Sequence, residues 1–370
     1  MPHILVIGAF PESLINFRGD LIKALVGAGH RVTAMAAPAS QEQIVRIKAL
    51  GASFRAYPVA RNSLNPVHDL RTLLALRRAY RDLRPDAVLA YTLKPVIWGG
   101  IGAIGLSGLR FHALITGLGF AFHGQGLKRK ILTRLVGGLY RTALGRAQSV
   151  IFQNRDNHDM FVARGLANPA KCHVVRGSGV NLSRFKAIPV PASGLVFLMI
   201  ARLLREKGLF EFVEAARLVR QQRADAVFQL LGPPDPSPDG VSLARVEQWQ
   251  REGIIDYLGE TGDVRPFIAA CGVFVLPSYH EGMPRAVLEA MATGRPILTT
   301  DVPGCRETVE MEKNGFLVPR GDAAQLAEKF MWMIARRDQW QTMGDASLAL
   351  AKDRFDVRKV NAELLRIMEL

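Results

Sequence analysis

The sequence predicts an α/β protein with two doubly wound, parallel-sheet domains. The chain has 370 residues, and a globular domain commonly holds roughly 150. Short apolar or β-branched runs alternate with helical patterns of about 10–15 residues, which is typical of βαβ units. The alternation occurs twice, on either side of a proline-rich stretch at 188–192. We therefore expect a hinge near residues 187–194.

In the first half, apolar runs predict strands and amphipathic stretches predict helices. The run at 3–8 is almost wholly aliphatic, as expected for a strand buried on both faces. The stretch 17–28 has helical periodicity and is followed by Gly29, a common helix stop. Further strands are expected at 31–35, 87–91, 112–116, 149–152 and 173–175.

The second half repeats the scheme. A strand at 195–200 is followed by a helix at 210–222 and a strand at 226–231. Further strands are expected at 255–258, 273–276 and 296–299. We thus predict an N-terminal domain over 1–187, a C-terminal domain over 188–350, and a terminal helix, 351–370, that packs back on the first domain. In such folds ligands bind beyond the carboxyl ends of the strands, so we expect a site in a central cleft between facing domains.

The charge is distributed unevenly along the chain. The net charge is +15. Residues 1–187 hold 26 Lys and Arg against 8 Asp and Glu, a net charge of +18, whereas residues 188–370 hold 22 against 25, a net charge of −3. No acidic residue occurs between Asp86 and Asp156. Such a basic half indicates an anionic partner: a phosphorylated substrate, an anionic membrane surface or nucleic acid.

Several common kinds of binding site are excluded because their sequence motifs are absent. Gly8 is followed by Ala-Phe-Pro, so the dinucleotide-binding G-x-G-x-x-G pattern fails, and no P-loop occurs. No D-x-D follows a strand, and the segment "GPPDPSPDG", with Asp235 and Asp239, is predicted to be a turn. The three widely spaced cysteines fit neither a disulfide framework nor a zinc site. Without a basic, apolar leader, the chain is expected to be cytoplasmic.

The most informative segment is "PSYHEGMPRAVLEAMATGRPILTTDVPGCRE", residues 277–307. It holds two glutamates, Glu281 before a predicted helix at 284–292 and Glu289 inside that helix. Backbone N–H groups at a helix start bind anions, Gly282 permits close approach of a ligand, and a nearby carboxylate can accept both ribose hydroxyls. The alternative is capping, with Glu281 favouring the helix dipole and Glu289 solvated at the surface.

A second segment, "IARLLREKG" at 200–208, lies between a strand and a helix. It places Arg202 and Lys207 at the carboxyl end of the strand, without acidic residues expected nearby. Two fixed cations can hold a diphosphate and neutralise it as a leaving group, the task that a metal ion performs elsewhere. The alternative is a solvated helix start formed by Arg205, Glu206 and Lys207.

Together these segments resemble the donor half of family 4 glycosyltransferases, which have the GT-B fold. The resemblance covers residues 195–321 and includes R-x4-K, "YLGETGDV" at 257–264, the E-x7-E element within "VLPSYHEGMPRAVLEAMA" at 275–292, "GRPI" and "GFLVP". It implies a nucleotide-sugar donor and transfer with retention. It also implies that no metal or other cofactor is needed, and that the donor phosphate accepts the proton of the acceptor on the front face.

The resemblance also assigns donor-site roles. Arg202 and Lys207 would bind the diphosphate, and Glu281 would bind hydroxyls of the sugar. The remaining nucleotide-sugar contacts would come from the loop before the helix, from the ribose-binding carboxylate and from backbone beside the base, namely Gly282, Met283, Pro284, Glu289, Gly262 and Val264.

The first half resembles family members that add N-acetylhexosamine to lipid-linked acceptors. The similar segments are "GAFPESLINFRGDLIKAL" (8–25), "YTLKPVIWGG" (91–100) and "ITGLGFAF" (115–122). Lys94 could meet an acceptor phosphate, and Arg18 could do the same or be solvated. Many family members have a His where this chain has Thr116, so His123 is a candidate substitute; the alternative is an incidental loop histidine. The implied acceptor-binding residues are Gly8, Asn16, Arg18, Lys94, Thr116 and Gly117.

A basic amphipathic helix is predicted at 126–147. Ile131, Leu132, Leu135, Val136, Leu139 and Tyr140 recur at helical spacing, with basic residues before, among and after them, namely Lys128, Arg129, Lys130, Arg134 and Arg141. This pattern is typical of a helix at a membrane surface. The alternative is that its apolar face belongs to the core.

The leading hypothesis is a retaining, metal-independent glycosyltransferase. It would move a hexose or N-acetylhexosamine from a UDP-sugar to an undecaprenyl-diphosphate-linked sugar, at the inner face of an anionic cell membrane contacted by the N-terminal domain. One alternative is a UDP-sugar 2-epimerase of the same architecture. The other is a basic nucleic-acid binder, but the sequence lacks a known nucleic-acid module, so no nucleic-acid partner is expected.

Overall fold

Two parallel β-sheets organise the chain, one in each half of the sequence. The computed structural model describes residues 1–60, 65–117 and 127–370, with the side chains of 127–130 not described. The chain divides into one unit formed by 1–178 with 358–370, and a second formed by 179–357. The division falls after Ser178, whereas the sequence placed it at 187/188.

The first unit is a seven-stranded parallel sheet in the order β3-β2-β1-β4-β5-β6-β7. Its strands are β1 His3–Ile7, β2 Arg31–Ala36, β3 Ser53–Ala56, β4 Ala87–Tyr91, β5 Arg110–Ile115, β6 Ser149–Phe152 and β7 Cys172–Val174. Its helices are α1 Pro11–Gly27, α2 Gln41–Lys48, α3 Pro66–Leu83, α4 Leu93–Ala103, α5 Leu127–Gly145 and α6 Arg155–Ala163. Apolar clusters cover both faces of the sheet.

The second unit is a six-stranded parallel sheet in the order β10-β9-β8-β11-β12-β13. Its strands are β8 Leu195–Ile200, β9 Ala226–Leu231, β10 Asp256–Tyr257, β11 Val273–Leu276, β12 Ile297–Thr300 and β13 Gly315–Val318. Its helices are α7 Leu209–Arg220, α8 Leu243–Arg251, α9 Arg265–Ala270, α10 Arg285–Ala292, α11 Ala323–Ala335 and α12 Trp340–Arg354. Phe197, Phe228 and Phe330 contact one another in its core.

The strand order reverses once in each sheet. The reversal lies between β1 and β4 in the first unit and between β8 and β11 in the second. At such a point the loops after the two central strands diverge to opposite faces of the sheet and leave room for a ligand. The segments after β8 and β11 are those that begin with Ala201 and Pro277.

The predicted fold class is confirmed, with local corrections. Helix α1 begins at Pro11 instead of residue 17, because proline at the first helical position supplies a pre-set φ and lacks only an N–H that a helix start leaves unbonded. The sequence reading did not include β3 or β13 among the strands. Strand β3 lies at the sheet edge and is only half-buried, so it lacks the continuous apolar run of a strand buried on both faces.

The C-terminal helix α13, Val357–Met368, belongs to the first unit from Arg358 onwards. Its residues Val360, Leu364, Ile367 and Met368 are buried in the same apolar cluster as strand β1. The helix preceding it, α12, belongs instead to the second unit. The segment that the sequence treated as one terminal helix, 351–370, therefore spans the end of α12 and all of α13.

Gly208 lies where the loop after β8 packs against the loop after β11 in the second unit. It has a left-handed backbone (φ +78°), and a Cβ at this position would lie 2.0 Å from the carbonyl oxygen of Pro277. Only glycine therefore lets the chain after β8 pass so close to the chain after β11. The residue both starts α7 and fixes the distance between the two loops.

We expect Gly208→Ala to destabilise the second unit by several kcal/mol. The left-handed backbone alone costs a non-glycine residue about 1–2 kcal/mol, and the clash with Pro277 adds to it. Gly253→Ala is the matched control, because Gly253 has φ +70° but open space around it. Denaturant unfolding measures both. Equal losses in the two variants would show that the contact with Pro277 is unimportant.

Candidate active site

The loops after β8 and β11 are held together by backbone and side-chain hydrogen bonds. The N–H of Tyr279 donates to the carbonyl of Glu206 at 2.8 Å, and the Ser278 hydroxyl donates to the same carbonyl at 3.2 Å. The Tyr279 hydroxyl donates to Glu211 of α7 at 2.7 Å. Burial raises the pKa of Tyr279 to about 12, and its hydrogen bond to Glu211 adds to the shift. These contacts bring the two predicted donor motifs together.

Lys207 and Glu281 form an ion pair at the centre of this assembly. Nζ of Lys207 lies 2.6 Å from Oε1 of Glu281, and both side chains are largely buried. The Glu281 backbone is fixed from the other side, since its N–H donates to Pro303 at 3.2 Å. A Cβ on Gly304 would lie 2.7 Å from the Glu281 carbonyl, so the loop after β12 packs directly on this backbone.

Arg202 also has a carboxylate partner. Its Nη1 donates to Oδ2 of Asp235, whose side chain is only 9% exposed, whereas that of Arg202 is 41% exposed. The expectation that the two cations lie without nearby acids is therefore wrong for both. The proline-rich segment around Asp235 predicted a turn, and only the pairing of β8 with β9 brings this aspartate beside Arg202.

The segment that carries Asp235 is attached to the loop after β8. Leu203 donates its N–H to Pro233 at 2.9 Å, and Val241 donates back to Leu203 at 2.8 Å. Burial would raise the pKa of Asp235, but hydrogen bonds from Ser237 and from Arg202 outweigh burial and leave that pKa below its ordinary value. Asp235 is therefore an ionised, fixed partner that holds one end of the Arg202 guanidinium.

Glu289 lies inside α10 and is 7% exposed. Its Oε1 accepts a hydrogen bond of 2.7 Å from Nε of Arg285, one turn earlier. Burial raises the pKa of Glu289, while the charges of Arg285 and Arg184 oppose the shift. The alternative of a solvated surface glutamate is therefore wrong. A buried carboxylate at this position is suited to accepting hydrogen bonds from hydroxyl groups.

The start of α10 differs by one residue from the predicted helix. Pro284 is the N-cap, with an extended backbone, and the helix runs from Arg285 to Ala292. Gly282 and Met283 lie half-buried in the loop before it. Helix starts direct backbone N–H groups outwards, so this position favours an anion.

The other predicted donor-site residues lie in the loop after β10. Gly262 is exposed, and Val264 is the half-buried N-cap of α9. This loop is joined to the end of β9, because the N–H of Gly232 donates to the Gly259 carbonyl at 2.7 Å. Both residues thus lie at the same sheet edge as Arg202.

In the first unit, Gly8 and Arg18 lie around a buried tyrosine. A Cβ on Gly8 would lie 2.3 Å from the Tyr91 hydroxyl, and that hydroxyl is 2.7 Å from the hydroxyl of Ser13. The Arg18 guanidinium lies 4.9 Å from the centre of the Tyr91 ring and donates to Ser178 at 2.9 Å. Arg18 is 2% exposed, so the alternative of a solvated helix residue is wrong.

Lys94 is buried at the start of α4. Its Nζ lies 2.7 Å from Oδ1 of Asp69 in the first turn of α3, a partner that sequence reasoning missed. Thr92, just before it, has a left-handed backbone with φ +66°. Strained backbone of this kind often occurs at binding sites.

The remaining acceptor-side predictions are spread along the same sheet edge. Asn16 is exposed on α1 and donates to Glu12 at 3.0 Å. Thr116 and Gly117 follow β5 and are half-buried. His123 and the rest of 118–126 lie outside the described residues, and so do the side chains of Lys128, Arg129 and Lys130.

The part of the chain that the structure describes lacks two further kinds of feature. No group of three or more His, Cys, Asp and Glu side chains there could hold a metal ion. In the same part of the chain, no helix combines the length and the apolar character needed to cross a membrane.

Two family descriptions match the two halves of the chain. Residues 194–336 match "Glycosyl transferases group 1", and residues 16–178 match "Glycosyl transferase 4-like domain". The N,N'-diacetylbacillosaminyl-diphospho-undecaprenol alpha-1,3-N-acetylgalactosaminyltransferase of Campylobacter jejuni is 30% identical over 335 residues, 87% of this chain and 86% of that protein. The UDP-Gal:alpha-D-GlcNAc-diphosphoundecaprenol alpha-1,3-galactosyltransferase of Escherichia coli is 27% identical, over 73% of this chain and 72% of that protein.

Solved structures show the same fold. Sucrose-phosphate synthase from Thermosynechococcus elongatus has a TM-score of 0.81 at 18% identity, covering 100% of this chain and 98% of that one. Anabaena HepE in complex with UDP-glucose has a TM-score of 0.81 at 19% identity, covering 100% of both chains. The chain therefore has the GT-B fold and belongs to the group 1, family 4 glycosyltransferases.

Proposed function

We propose that this glycosyltransferase moves a hexose or N-acetylhexosamine from a UDP-sugar to an undecaprenyl-diphosphate-linked sugar, in polysaccharide or glycan biosynthesis. The single observation that carries the proposal is the pairing of Lys207 with Glu281 just before α10, with Arg202 in the same loop as Lys207, at the strand-order reversal of the second unit. The names of the Campylobacter and Escherichia relatives support the lipid-diphosphate acceptor, and the latter name also supports a UDP donor.

The donor diphosphate would bind between the cations and the helix start. Lys207 would contact it while its pairing with Glu281 keeps the ammonium group in place, and the exposed side of Arg202 would supply a second cationic contact. The first-turn N–H groups of α10 add partial positive charge. Charge developing on the departing diphosphate is stabilised by groups already in position, which supports transfer without a metal ion.

Glu281 and Glu289 would bind different parts of the donor. Glu281 is held by Lys207 through Oε1, and because a carboxylate has several acceptor positions, it would also accept hydrogen bonds from hydroxyls of the sugar. Glu289, deeper in α10, would accept from the ribose. We propose a front-face route with retention, in which the bond to the acceptor oxygen forms on the side of the leaving diphosphate, and a phosphate oxygen takes the acceptor's proton.

The first unit would bind the acceptor. Buried Lys94, close to the strained Thr92, would meet the acceptor diphosphate, and Gly8 lets the chain approach closely beside Tyr91. We also propose that this unit associates with the anionic inner face of the cell membrane, since its sequence carries most of the positive charge. Family membership favours this function over the epimerase and the nucleic-acid binder.

We expect Lys207→Ala and Glu281→Ala each to lower kcat about a hundredfold or more, the usual cost of removing one group that stabilises the transition state. Both variants remain folded, because neither side chain belongs to the apolar core. Turnover is measured with a UDP-sugar panel and a polyprenyl-diphosphate-sugar acceptor, with and without EDTA. Lys313→Ala, at an exposed lysine of the same unit, is the control.

Two results would contradict the proposed chemistry. Near-normal rates in both variants would show that the pair is not part of the donor site. Loss of wild-type activity in EDTA, restored by magnesium or manganese, would disprove metal independence.

We expect Arg202 and Asp235 to act as one unit in donor binding. Arg202→Ala should weaken UDP binding about tenfold, since it removes a charge-assisted contact to phosphate. Asp235→Ala should weaken it less, by leaving the guanidinium without its anchor. Because the second effect acts through Arg202, the double variant should bind UDP no worse than Arg202→Ala alone.

Isothermal titration calorimetry measures the UDP affinity of wild type, of the two single variants and of the double variant. Asp225→Ala removes an exposed aspartate that pairs with Arg223 and serves as the control. Additive losses in the double variant would mean that Asp235 does not work through Arg202. Tighter UDP binding by Asp235→Ala would mean that the carboxylate competes with the diphosphate.

The burial of Glu289 predicts that the folding stability of the protein depends on pH. Because burial raises its pKa in the folded state above the ordinary value of 4.5, folding favours the protonated form. The resulting contribution of Glu289 to the stability of the folded state is fully present below its pKa in the unfolded chain. It is lost as the pH rises through its pKa in the folded protein. Wild type should therefore lose more stability than Glu289→Gln as the pH rises from about 4.5 to 7. Denaturant unfolding at several pH values measures the difference, and parallel curves would contradict it.

A further inference from the structure

Arg184 is an exposed cation of the second unit. Within the described ranges of the chain, its guanidinium makes no ion pair and no hydrogen bond. Three arginines of the same unit, Arg202, Arg265 and Arg285, instead each bind a carboxylate. The N–H donors of Arg184 are therefore available to a ligand.

The position of Arg184 is fixed by a turn and by a core residue. The side-chain oxygen of Asn181 accepts hydrogen bonds of 3.1 Å from the N–H groups of Ser183 and Arg184. Phe185, the next residue, is 3% exposed and belongs to the apolar core of the second unit. The Arg184 guanidinium lies 5.7 Å from the centre of the Phe185 ring. A side chain supported in this way loses less conformational freedom when it binds a ligand.

The segment that follows Arg184 runs beside helix α10. The Ile188 N–H donates to the carbonyl of Thr293, the C-cap of α10, at 3.1 Å. The Ile188 carbonyl accepts a hydrogen bond of 2.8 Å from Arg295, just beyond the helix. Arg184 lies four residues before Ile188, and it acts electrostatically on Glu289, four residues before Thr293. The segment and the helix therefore run side by side, with Arg184 level with the turn that holds Glu289.

The charge of Arg184 reaches two carboxylates that already have closer partners. Glu289 accepts a hydrogen bond of 2.7 Å from Arg285. Asp263 accepts two hydrogen bonds, of 2.8 and 2.7 Å, from Arg265. The hydrogen bonds from Arg265 lower the pKa of Asp263 to about 2, and the charge of Arg184 adds to that shift. Arg184 is therefore near both carboxylates without being the bonded partner of either.

These two carboxylates lie at the nucleoside end of the proposed donor site. Glu289 would bind the ribose. Asp263 lies between Gly262 and Val264, in the loop proposed to lie beside the base. The diphosphate would bind elsewhere, at Lys207. A cation with free donors near both the ribose and the base positions is thus placed to meet the edge of the base.

The edge of a pyrimidine distinguishes uracil from cytosine at one position. Uracil carries the carbonyl oxygen O4 there, which accepts hydrogen bonds, whereas cytosine carries an amino group, which donates them. A guanidinium has five N–H donors and no acceptor. It can therefore bind O4 of uracil, but it has no acceptor for the cytosine amino group.

We propose that Arg184 recognises the base of the nucleotide donor by donating a hydrogen bond to O4 of uracil. The inference rests on the proposed function, which supplies the ribose and base positions. It goes further, because it assigns the choice of uracil over cytosine to one side chain. The Phe185 ring supports the guanidinium, and the partners Arg265 and Arg285 leave it free of the neighbouring carboxylates.

Isothermal titration calorimetry of the full chain with UDP, CDP and inorganic pyrophosphate tests this inference. Wild type should bind UDP more tightly than CDP. Arg184→Met keeps an unbranched side chain but removes the donors, so it should weaken UDP binding about tenfold. Binding of CDP and pyrophosphate should stay as in wild type. Arg336→Met is the matched control, because Arg336 is also exposed and lies 4.5 Å from the centre of an aromatic ring, that of Trp332.

Three results would overturn the inference. The first is a wild type that binds UDP no more tightly than CDP. The second is unchanged UDP binding by Arg184→Met. The third is an equal loss for UDP and for CDP or pyrophosphate, which would place the contact on a group that these ligands share.

Sugar transfer separates this test from that of the proposed function. At saturating UDP-sugar, Arg184→Met should keep the wild-type kcat and raise only KM, because the base is bound equally in the ground state and the transition state. A wild type whose preference for UDP depends on Arg184, but which transfers no sugar to a polyprenyl-diphosphate-sugar acceptor, would contradict the proposed function alone.

Discussion

The ion pair between Lys207 and Glu281 depends on the adjacency of two parallel strands. The two residues are 74 positions apart in the chain, yet their charged atoms lie 2.6 Å apart. They meet because β8 and β11 are neighbours where the strand order reverses. Gly208 and Gly304 then bring the loops to a separation that any side chain at those positions would prevent. The proposed donor site therefore depends on backbone packing as much as on its charged residues.

In the same region, the positive charges are compensated by carboxylates. Each cation that would bind the diphosphate already has a carboxylate partner, so the site is balanced before a ligand arrives. Side chains held in this way do not need to be ordered when the donor binds, and the free-energy cost of binding falls accordingly. The same principle applies in the first unit, where Asp69 compensates buried Lys94.

The first unit has the same parallel-sheet architecture as the second, but different kinds of residue line its strand-order reversal. Its strand-order reversal is lined by Gly8, Tyr91 and Thr92, and its one described lysine at that edge is buried. Its positive charge lies mainly in exposed arginines of the surrounding helices. The residues at the reversal are thus largely buried, whereas the charged surface lies on the helices around it.

The sequence alone determined the fold class and most strand positions, and it predicted the two donor motifs with Arg202, Lys207, Glu281 and Glu289. Apolar periodicity and the R-x4-K and E-x7-E spacings are local properties, so they can be read along the chain. The structure alone decided which partners those residues have. Asp235 looked like part of a turn, Glu289 could have been solvated, and Arg18 could have been exposed, until β8–β9 pairing, the burial of α10 and the contact with Tyr91 fixed them. Contacts between residues far apart in the chain depend on strand order and helix packing, and no local pattern encodes either one.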